Sequence, residues 1–341
     1  MSVRPPQHRP VLTGRGARRL EDRIRRIERR VATAHGLVLT ERLVTVRTTE
    51  ARARVLTTPP PGTPAIPIVW INGIGTPATG LATLAGRFPG AQHVLVDLPG
   101  HSLAPPFLWT GSPLRALAVQ IVTAVLDDLG IARAHIVGSS LGGQFALWAA
   151  ADAPGRIAGA VVLGAPGTAV GGITPTASMR ATASGGRGRL AEVLMRCPSP
   201  RPVARAALAE AIGDATARAL AADIVDLHRL PLRLPGRAAS YRALLRRLIH
   251  HGVVLPENVL GHADLTVIDR PILFAWGRRD TFLAPSRRIR DVVGAMPRAR
   301  LVVVEGGHNP WFDDLDHCTD LLGSFLAESD TPITARNQPH A

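Results

Sequence analysis

Short apolar runs alternate with amphipathic segments along most of the chain. The apolar runs end at glycine or a polar residue and occupy Ile66–Ile71, His93–Leu98, Ala134–Gly138, Ala158–Gly164, Pro271–Gly277 and Arg300–Gly306. Runs of this kind are typical of strands buried on both faces of a parallel sheet. Segments with helical periodicity, such as 112–130 and 142–155, separate several of them. The alternation predicts an α/β sheet with helices on both sides.

The pattern also divides the chain into parts. We predict a disordered basic tail (1–17), a helix (18–36), an α/β core (37–167 and 267–328), a helical insertion (168–266) and a disordered C-terminal tail (329–341). Two further strand-like runs, Arg42–Thr49 and Ala53–Thr58, predict a hairpin at the start of the sheet. The insertion has no convincing buried strand and consists of Ala-, Leu- and Arg-rich segments. We expect it to sit over one end of the sheet.

The predicted N-terminal helix is amphipathic. Leu20, Ile24, Ile27 and Val31 recur at helical spacing, and the other face is mostly arginine. We expect the apolar face to pack on the domain, with binding to an anionic membrane or a partner as the alternative.

The composition indicates a folded globular protein and argues against specific nucleic-acid binding. The chain has 341 residues, 46% of them hydrophobic, which is typical of a folded globular protein. Its net charge of +14 comes with 4% aromatic residues, so non-specific attraction to anions is expected but specific nucleic-acid binding is not. Cys197 and Cys318 have neither disulfide-framework nor metal-ligand spacing. No secretory signal and no membrane-spanning run is apparent, which predicts a cytoplasmic location.

A serine lies in a Gly-x-Ser-x-Gly pattern. In "GSSLG", Gly138, Ser140 and Gly142 satisfy the pattern, and Ser139 fills the variable position. A strand-like run precedes the motif and a helix-like segment follows it, which is the setting of a serine on a sharp strand-to-helix turn. The free N–H groups of the following helix suit an oxyanion. Ser140 is therefore the candidate nucleophile.

A base and an orienting carboxylate are predicted further along the chain. Asp280 and His308 each come just after a predicted strand, so both should project at the carboxyl edge of the sheet, as Ser140 does. Asp313 and Asp314 are rival carboxylates, but their position favours the start of the next helix. The order serine, aspartate, histidine is that of the α/β-hydrolase triad.

The chain resembles the α/β-hydrolase-fold family from about Leu37 to Glu328. "INGIGTP" is similar to the family's His-Gly-x-Gly loop, with Asn72 in place of histidine, and "VDLPGHS" is similar to its Asp-x-x-Gly turn. The resemblance implies a mostly parallel, doubly wound eight-stranded sheet with the insertion as a helical cap. It also implies an oxyanion hole formed by the N–H groups of Ile74 and Leu141, and a triad of Ser140, Asp280 and His308.

These residues predict a serine hydrolase that cleaves a carboxylic ester through an acyl-enzyme. A carbon–carbon bond hydrolase with the same triad is an alternative, and so is a ligand-binding protein without turnover. The expected partner is a small-molecule substrate, apolar or anionic, and no cofactor or metal is expected. The oligomeric state is left open.

Overall fold

The computed structural model describes residues 14–47, 49–62 and 65–330. The strands are β1 (Thr40–Thr45), β2 (Arg52–Thr57), β3 (Ile68–Ile71), β4 (His93–Asp97), β5 (Ala134–Ser139), β6 (Ile157–Leu163), β7 (Ile249–His250), β8 (Val253–Val254), β9 (Ile272–Gly277) and β10 (Ala299–Val304). The α-helices are α1 (Arg15–Ala34), α2 (Ala82–Ala85), α3 (Leu114–Asp128), α4 (Leu141–Asp152), α5 (Ala177–Ala183), α6 (Gly186–Met195), α7 (Arg201–Ile212), α8 (Asp214–Ala219), α9 (Ala222–Arg229), α10 (Arg237–Leu248), α11 (His262–Thr266), α12 (Arg287–Gly294) and α13 (Leu315–Asp330).

One sheet of eight strands organises the molecule. Its order is β1-β2-β4-β3-β5-β6-β9-β10. The first two pairings, β1 with β2 and β2 with β4, are antiparallel, and all the others are parallel. The predicted α/β class and the mostly parallel eight-stranded sheet are confirmed. Strand β10 departs from the expected burial on both faces, because it lies at an edge of the sheet and is only partly covered.

Two apolar cores cover the two faces of the sheet. Helices α3, α4 and α12 contribute to one core, and α1, α2 and α13 contribute to the other. Strands β3, β4, β5, β6 and β9 are buried throughout, because each of them lies between two neighbours and beneath helices on both sides. None of the helices in the described part of the chain is both long and apolar enough to span a membrane.

The segment between β6 and β9 forms a layer of short helices, α5 to α11. It also holds a two-stranded hairpin, β7 with β8, within the stretch where the sequence indicated no buried strand. Helix α10 brings this layer onto the core: the Arg237 Nε donates to the Ser102 carbonyl at 2.9 Å, and the Phe107 N–H donates to the Ser240 Oγ at 2.9 Å. The layer therefore lies against the loop that follows β4, and Tyr241 of α10 lies beside Gly75 in the loop that follows β3.

Helix α1 packs on the domain through the predicted apolar face. Leu20, Ile24, Ile27 and Val31 are all buried. The helix begins at Arg15, three residues before the predicted start, because its first turn is held by the buried Ala17. The rest of the predicted N-terminal tail lies outside the described residues.

The C-terminal helix also runs further than expected. Helix α13 continues to Asp330, two residues into the segment 329–341 that was predicted to be a tail. The Asp330 carboxylate lies 2.7 Å from Nε2 of the buried His135, which holds the end of the helix on the sheet. The remainder of this predicted tail lies outside the described residues.

A buried ion cluster joins α1 to the sheet. Arg54 on β2 donates from Nη1 to Glu28 at 2.8 Å and to Asp97 at 2.7 Å, and from Nη2 to Glu28 at 2.7 Å and to Glu41 at 3.0 Å. Ser102 Oγ donates to Glu28 at 3.1 Å. Burial raises the pKa of Asp97 to about 6, although the Arg54 charge acts in the opposite direction. The cluster couples the N-terminal helix to the end of β4.

Buried histidines make the stability of this fold depend on pH. Burial lowers the pKa of His101 to about 4, while its Nδ1–H donates to the Pro99 carbonyl at 3.1 Å. In the unfolded chain, His101 binds a proton near its usual pKa of 6.5, whereas in the folded chain it does so only near pH 4. The contribution of the neutral His101 to stability is therefore complete above pH 6.5 and is lost as the pH falls from 6.5 through 4. The substitution His101→Asn should remove about 3 kcal/mol of that loss.

Urea unfolding of the two proteins at pH 7 and pH 4 measures this difference. The asparagine side chain keeps a donor for the Pro99 carbonyl, and His262→Asn, at an exposed position, is the matched control. An equal loss of stability in wild type and His101→Asn would refute the assignment.

Candidate active site

Ser140 lies on the turn between β5 and α4. Its backbone has φ 52° and ψ −114°, a region that residues with a Cβ rarely adopt and that costs about 1–3 kcal/mol. The Ser140 side chain is half-buried, whereas Ser139 ends β5 and is buried. Ser140 Oγ has no hydrogen-bond partner among the described residues. Of the two neighbouring serines, Ser140 is therefore the one placed on the strained turn.

The glycines of the motif are required by close backbone approach. A Cβ on Gly138 would lie 2.2 Å from the carbonyl carbon of Gly142. A Cβ on Gly142 would lie 2.2 Å from the carbonyl oxygen of Ile71, on the neighbouring strand β3. Contacts this short with backbone atoms leave no room for a side chain. The two glycines thus allow helix α4 to start directly beside the sheet.

Asp280 and His308 meet at the carboxyl edge of the sheet. Asp280 follows β9 and His308 follows β10. Asp280 Oδ2 lies 2.8 Å from His308 Nδ1 and accepts a second hydrogen bond from the Ala165 N–H at 2.8 Å. Asp280 Oδ1 accepts from the Phe282 N–H at 3.0 Å. Because a carboxylate accepts, His308 Nδ1 carries the proton, and Nε2 is left as the basic nitrogen.

The basic nitrogen of His308 is available for a proton. Nε2 is buried and has no hydrogen-bond partner among the described residues, and the Phe282 ring packs against the imidazole at a centroid distance of 4.3 Å. A buried polar atom without a partner is uncommon in a folded protein. Ser140 and His308 are both anchored at the end of β6: the Ser140 N–H donates to Leu163 O at 3.2 Å, and a Cβ on Gly164 would lie 2.1 Å from His308 O.

The rival carboxylates have other partners. Asp313 Oδ2 accepts from the Gly307 N–H at 2.8 Å, and its Oδ1 accepts from Thr216 Oγ1. Asp314 Oδ1 accepts from the His317 N–H at 3.2 Å, at the start of α13. Of these three carboxylates, only Asp280 hydrogen-bonds to His308 in the described part of the chain.

The loop after β3 lies beside the serine. A Cβ on Gly73 would lie 3.3 Å from Ser140 Cβ, so this loop and the turn are in contact. The N–H groups of Ile74 and Leu141 have no hydrogen-bond partner among the described residues. Two free N–H groups on neighbouring segments suit the stabilisation of an oxyanion.

The side chain of Asn72 fixes the conformation of the loop after β3 through three hydrogen bonds. Its Nδ2 donates to the carbonyls of Gly73 at 2.9 Å and Thr76 at 2.7 Å, and its Oδ1 accepts from the Leu98 N–H at 3.0 Å. The side chain is buried. An asparagine in the position of the family's histidine therefore ties both ends of the loop and the end of β4 together.

Gln144 is a further polar residue that the sequence interpretation missed. It lies one helical turn after Ser140 and is fully buried. Its Oε1 accepts from the Thr168 N–H at 2.8 Å, and its Nε2 donates to the Asn258 carbonyl at 3.2 Å. A lone glutamine in an otherwise apolar helix was the available signal. Gln144 fixes the start of the helical layer to the turn that carries Ser140.

Little open space remains next to the loop after β3. A cavity of about 20 Å³ lies between this loop and the helical layer, lined among others by Gly75, His228 and Tyr241. No group of three or more histidine, cysteine or acidic side chains suited to a metal ion occurs within the described residues.

A family profile and two curated relatives show what this chain is similar to. A profile of the alpha/beta hydrolase fold family matches residues 66–315. The chain is 31% identical over 265 residues to a 2-hydroxy-6-oxononadienedioate/2-hydroxy-6-oxononatrienedioate hydrolase of Burkholderia vietnamiensis, covering 76% of this chain and 86% of that protein. A protein of the same name from Pseudomonas sp. is 28% identical over 272 residues, covering 76% of this chain and 87% of that protein.

A solved structure extends the likeness to the fold. The carboxylesterase CesB of Bacillus subtilis superposes with a TM-score of 0.70 at 16% identity, covering 91% of this chain and 99% of that one. At this identity the likeness concerns the fold alone. The family profile and the curated relatives establish that the chain belongs to the alpha/beta-hydrolase-fold family.

Proposed function

We propose that this protein is a serine hydrolase that cleaves a carboxylic ester through an acyl-enzyme on Ser140. The observation that carries the proposal is the buried pair of Asp280 and His308, whose 2.8 Å contact leaves His308 Nε2 as a free base. A serine on a strained turn at the same sheet edge supplies the group that such a base activates.

Each residue has one role in the proposed reaction. Ser140 Oγ attacks the carbonyl carbon of the ester while His308 Nε2 takes the hydroxyl proton. Asp280 holds the imidazole tautomer and stabilises the imidazolium. His308 then gives the proton to the leaving alcohol, which departs with the electrons of the cleaved bond. A water deprotonated by His308 attacks the acyl-enzyme, and His308 returns this proton to Ser140 Oγ as the acid leaves.

The N–H groups of Ile74 and Leu141 are the proposed oxyanion donors. The contact between Gly73 and Ser140 supports this role, because it holds the loop of Ile74 beside the serine that would attack the carbonyl. Loss of one such donor typically costs about 3 kcal/mol of transition-state stabilisation.

A carbon–carbon bond hydrolase is the second candidate, and the names of the curated relatives favour it. The substrates in those names are 2-hydroxy-6-oxo dioates. Such a compound carries ketone and carboxylate groups but no ester, so its hydrolysis breaks a carbon–carbon bond. The same serine and histidine serve this reaction, and an anionic small molecule is one of the two substrate classes, apolar or anionic, expected from the sequence.

Two measurements test the proposal. Covalent labelling by a fluorophosphonate probe should occur in the wild-type protein and disappear in Ser140→Ala. Steady-state rates with 4-nitrophenyl esters of increasing acyl length and with a 2-hydroxy-6-oxo dienoate then separate the two reactions. We expect the higher kcat/KM for an ester, and a higher value for the dienoate would select the second candidate.

A different result is expected if the protein binds a ligand without turnover. Labelling of the wild-type protein at the same slow rate as Ser140→Ala, together with no turnover of either substrate class, would contradict a hydrolase. Ser139→Ala is the matched control, because it removes a hydroxyl from the neighbouring position and should leave labelling intact.

A further inference from the structure

A groove of about 980 Å³ runs between α1 and the helical layer. One wall is the C-terminal half of α1, and the opposite wall is the segment 216–224 across α8 and α9. Its apolar lining includes the exposed Ala34 and Ala219 and the half-buried Phe312, above the buried Val31 and Ile224. The volume lies in the range of ligand sites of drug-sized molecules. The groove is therefore large enough for a small molecule with a hydrocarbon part.

Arginines border one side of this groove. Arg26, Arg29 and Arg30 of α1 all line it. Arg30 forms a two-point ion pair with Asp223 on the opposite wall, at 3.0 and 2.8 Å. Arg26 and Arg29 are exposed and have no ion pair among the described residues. Two unpaired guanidinium groups beside an apolar wall are complementary to a molecule with a carboxylate at the end of a hydrocarbon chain.

None of the proposed catalytic residues lines the groove, but Phe312, which follows His308 in the chain, does. The groove's α1 wall precedes residues 66–315, the part of the chain that matches the family. Phe312 borders both the groove and a small inner cavity that is also lined by Gly73 and Ser139. The site is thus formed partly by the helix that lies outside the family match.

We propose that this groove binds a long-chain carboxylate. The hydrocarbon chain lies along Ala34, Ala219 and Phe312, and the carboxylate accepts hydrogen bonds from Arg26 and Arg29. The proposal is independent of the reaction at Ser140, because none of these residues belongs to the proposed catalytic set.

Calorimetric titration of the full chain with decanoate, below the concentration at which decanoate forms micelles, tests the site. We expect saturable binding, with butanoate and 1-decanol each binding more weakly by at least about 10-fold, because each lacks one of the two recognised parts. The double substitution Arg26→Gln and Arg29→Gln should weaken decanoate binding by about 10-fold or more. Ala34→Trp, at an exposed position lining the groove, should weaken decanoate binding by about 10-fold, because the indole occupies part of the groove.

The matched control removes two positive charges from the same helix at positions outside the groove. Arg18→Gln with Arg19→Gln alters two exposed arginines that do not line the groove, and it should leave decanoate binding unchanged. Equal weakening by both double substitutions would mean non-specific attraction to a basic surface and would overturn the proposal. Full binding in Ala34→Trp, or no saturable binding by wild type, would do so as well. Thermal unfolding of each variant verifies that it is folded.

Discussion

Ser140→Ala is expected to reduce kcat for a 4-nitrophenyl ester by about 10⁶-fold, as loss of the nucleophile does in a serine protease. The expectation depends on the half-buried Ser140 hydroxyl being the group that His308 deprotonates. Because the two residues act as one unit, His308→Ala should cost about as much as Ser140→Ala. The double variant should be no slower than either single variant.

The neighbouring serine provides the control for this experiment. Ser139→Ala removes a buried hydroxyl one position away on β5 and should change kcat by less than about 10-fold, since Ser139 has no proposed role in the reaction. Burst kinetics with wild type should reveal the acyl-enzyme. Turnover by Ser140→Ala at the wild-type rate would refute the proposed mechanism.

Arg54→Met is expected to destabilise the fold by about 3–5 kcal/mol at pH 8. The substitution leaves the carboxylates of Glu28 and Asp97 buried without their cation, and breaking a buried ion pair on one side has costs of this size. In the variant, loss of the Arg54 charge raises the native pKa of Asp97 further above its usual value. Stability should therefore recover in part as the pH falls from 8 to 5 and the Asp97 carboxylate binds a proton.

An exposed ion pair on the neighbouring strand serves as the comparison. Arg42 on β1 contacts Asp128 at 2.8 Å, but both side chains are exposed. Arg42→Met should cost less than about 1 kcal/mol. Urea unfolding of the three proteins at pH 8 and pH 5 gives both quantities. A loss below 1 kcal/mol for Arg54→Met at pH 8 would show that the cluster does not stabilise the fold.

The sheet could be predicted because its signals are local. Each apolar run specifies a strand by itself, and the chain order of strands and helices restricts how parallel strands can be joined. The contact between Asp280 and His308 follows from the same logic, since both residues come directly after strands that turn out to be neighbours, β9 and β10. The catalytic roles of these residues remain predictions until the substitutions are measured.

The buried ion cluster could not be predicted in this way. Glu28 lies in a helix whose polar face is rich in charges, and nothing in its local sequence separates it from the exposed Asp22. Only the packing of α1 on the sheet brings it to Arg54, 26 positions away in the chain. Long-range pairing of charged side chains has no periodic signal.

The short hairpin was missed for a related reason. The run "YRALLRRLIHHG" has helical periodicity as far as Leu248, and the two-residue strands β7 and β8 are too short to produce an alternating pattern. His251 has φ 46° in the turn that follows β7. A tight turn of this kind depends on a few backbone angles and leaves little trace in composition.

Helix α1 also matters for how the protein is produced in the laboratory. A shortened chain beginning at Leu37 would retain Ser140, Asp280 and His308, and would still match the family over 66–315. It would lack Glu28, so Arg54 and Asp97 would face an opening where α1 had been. Poor yield or inactivity of such a fragment would then report a damaged scaffold and would say nothing about the substrate.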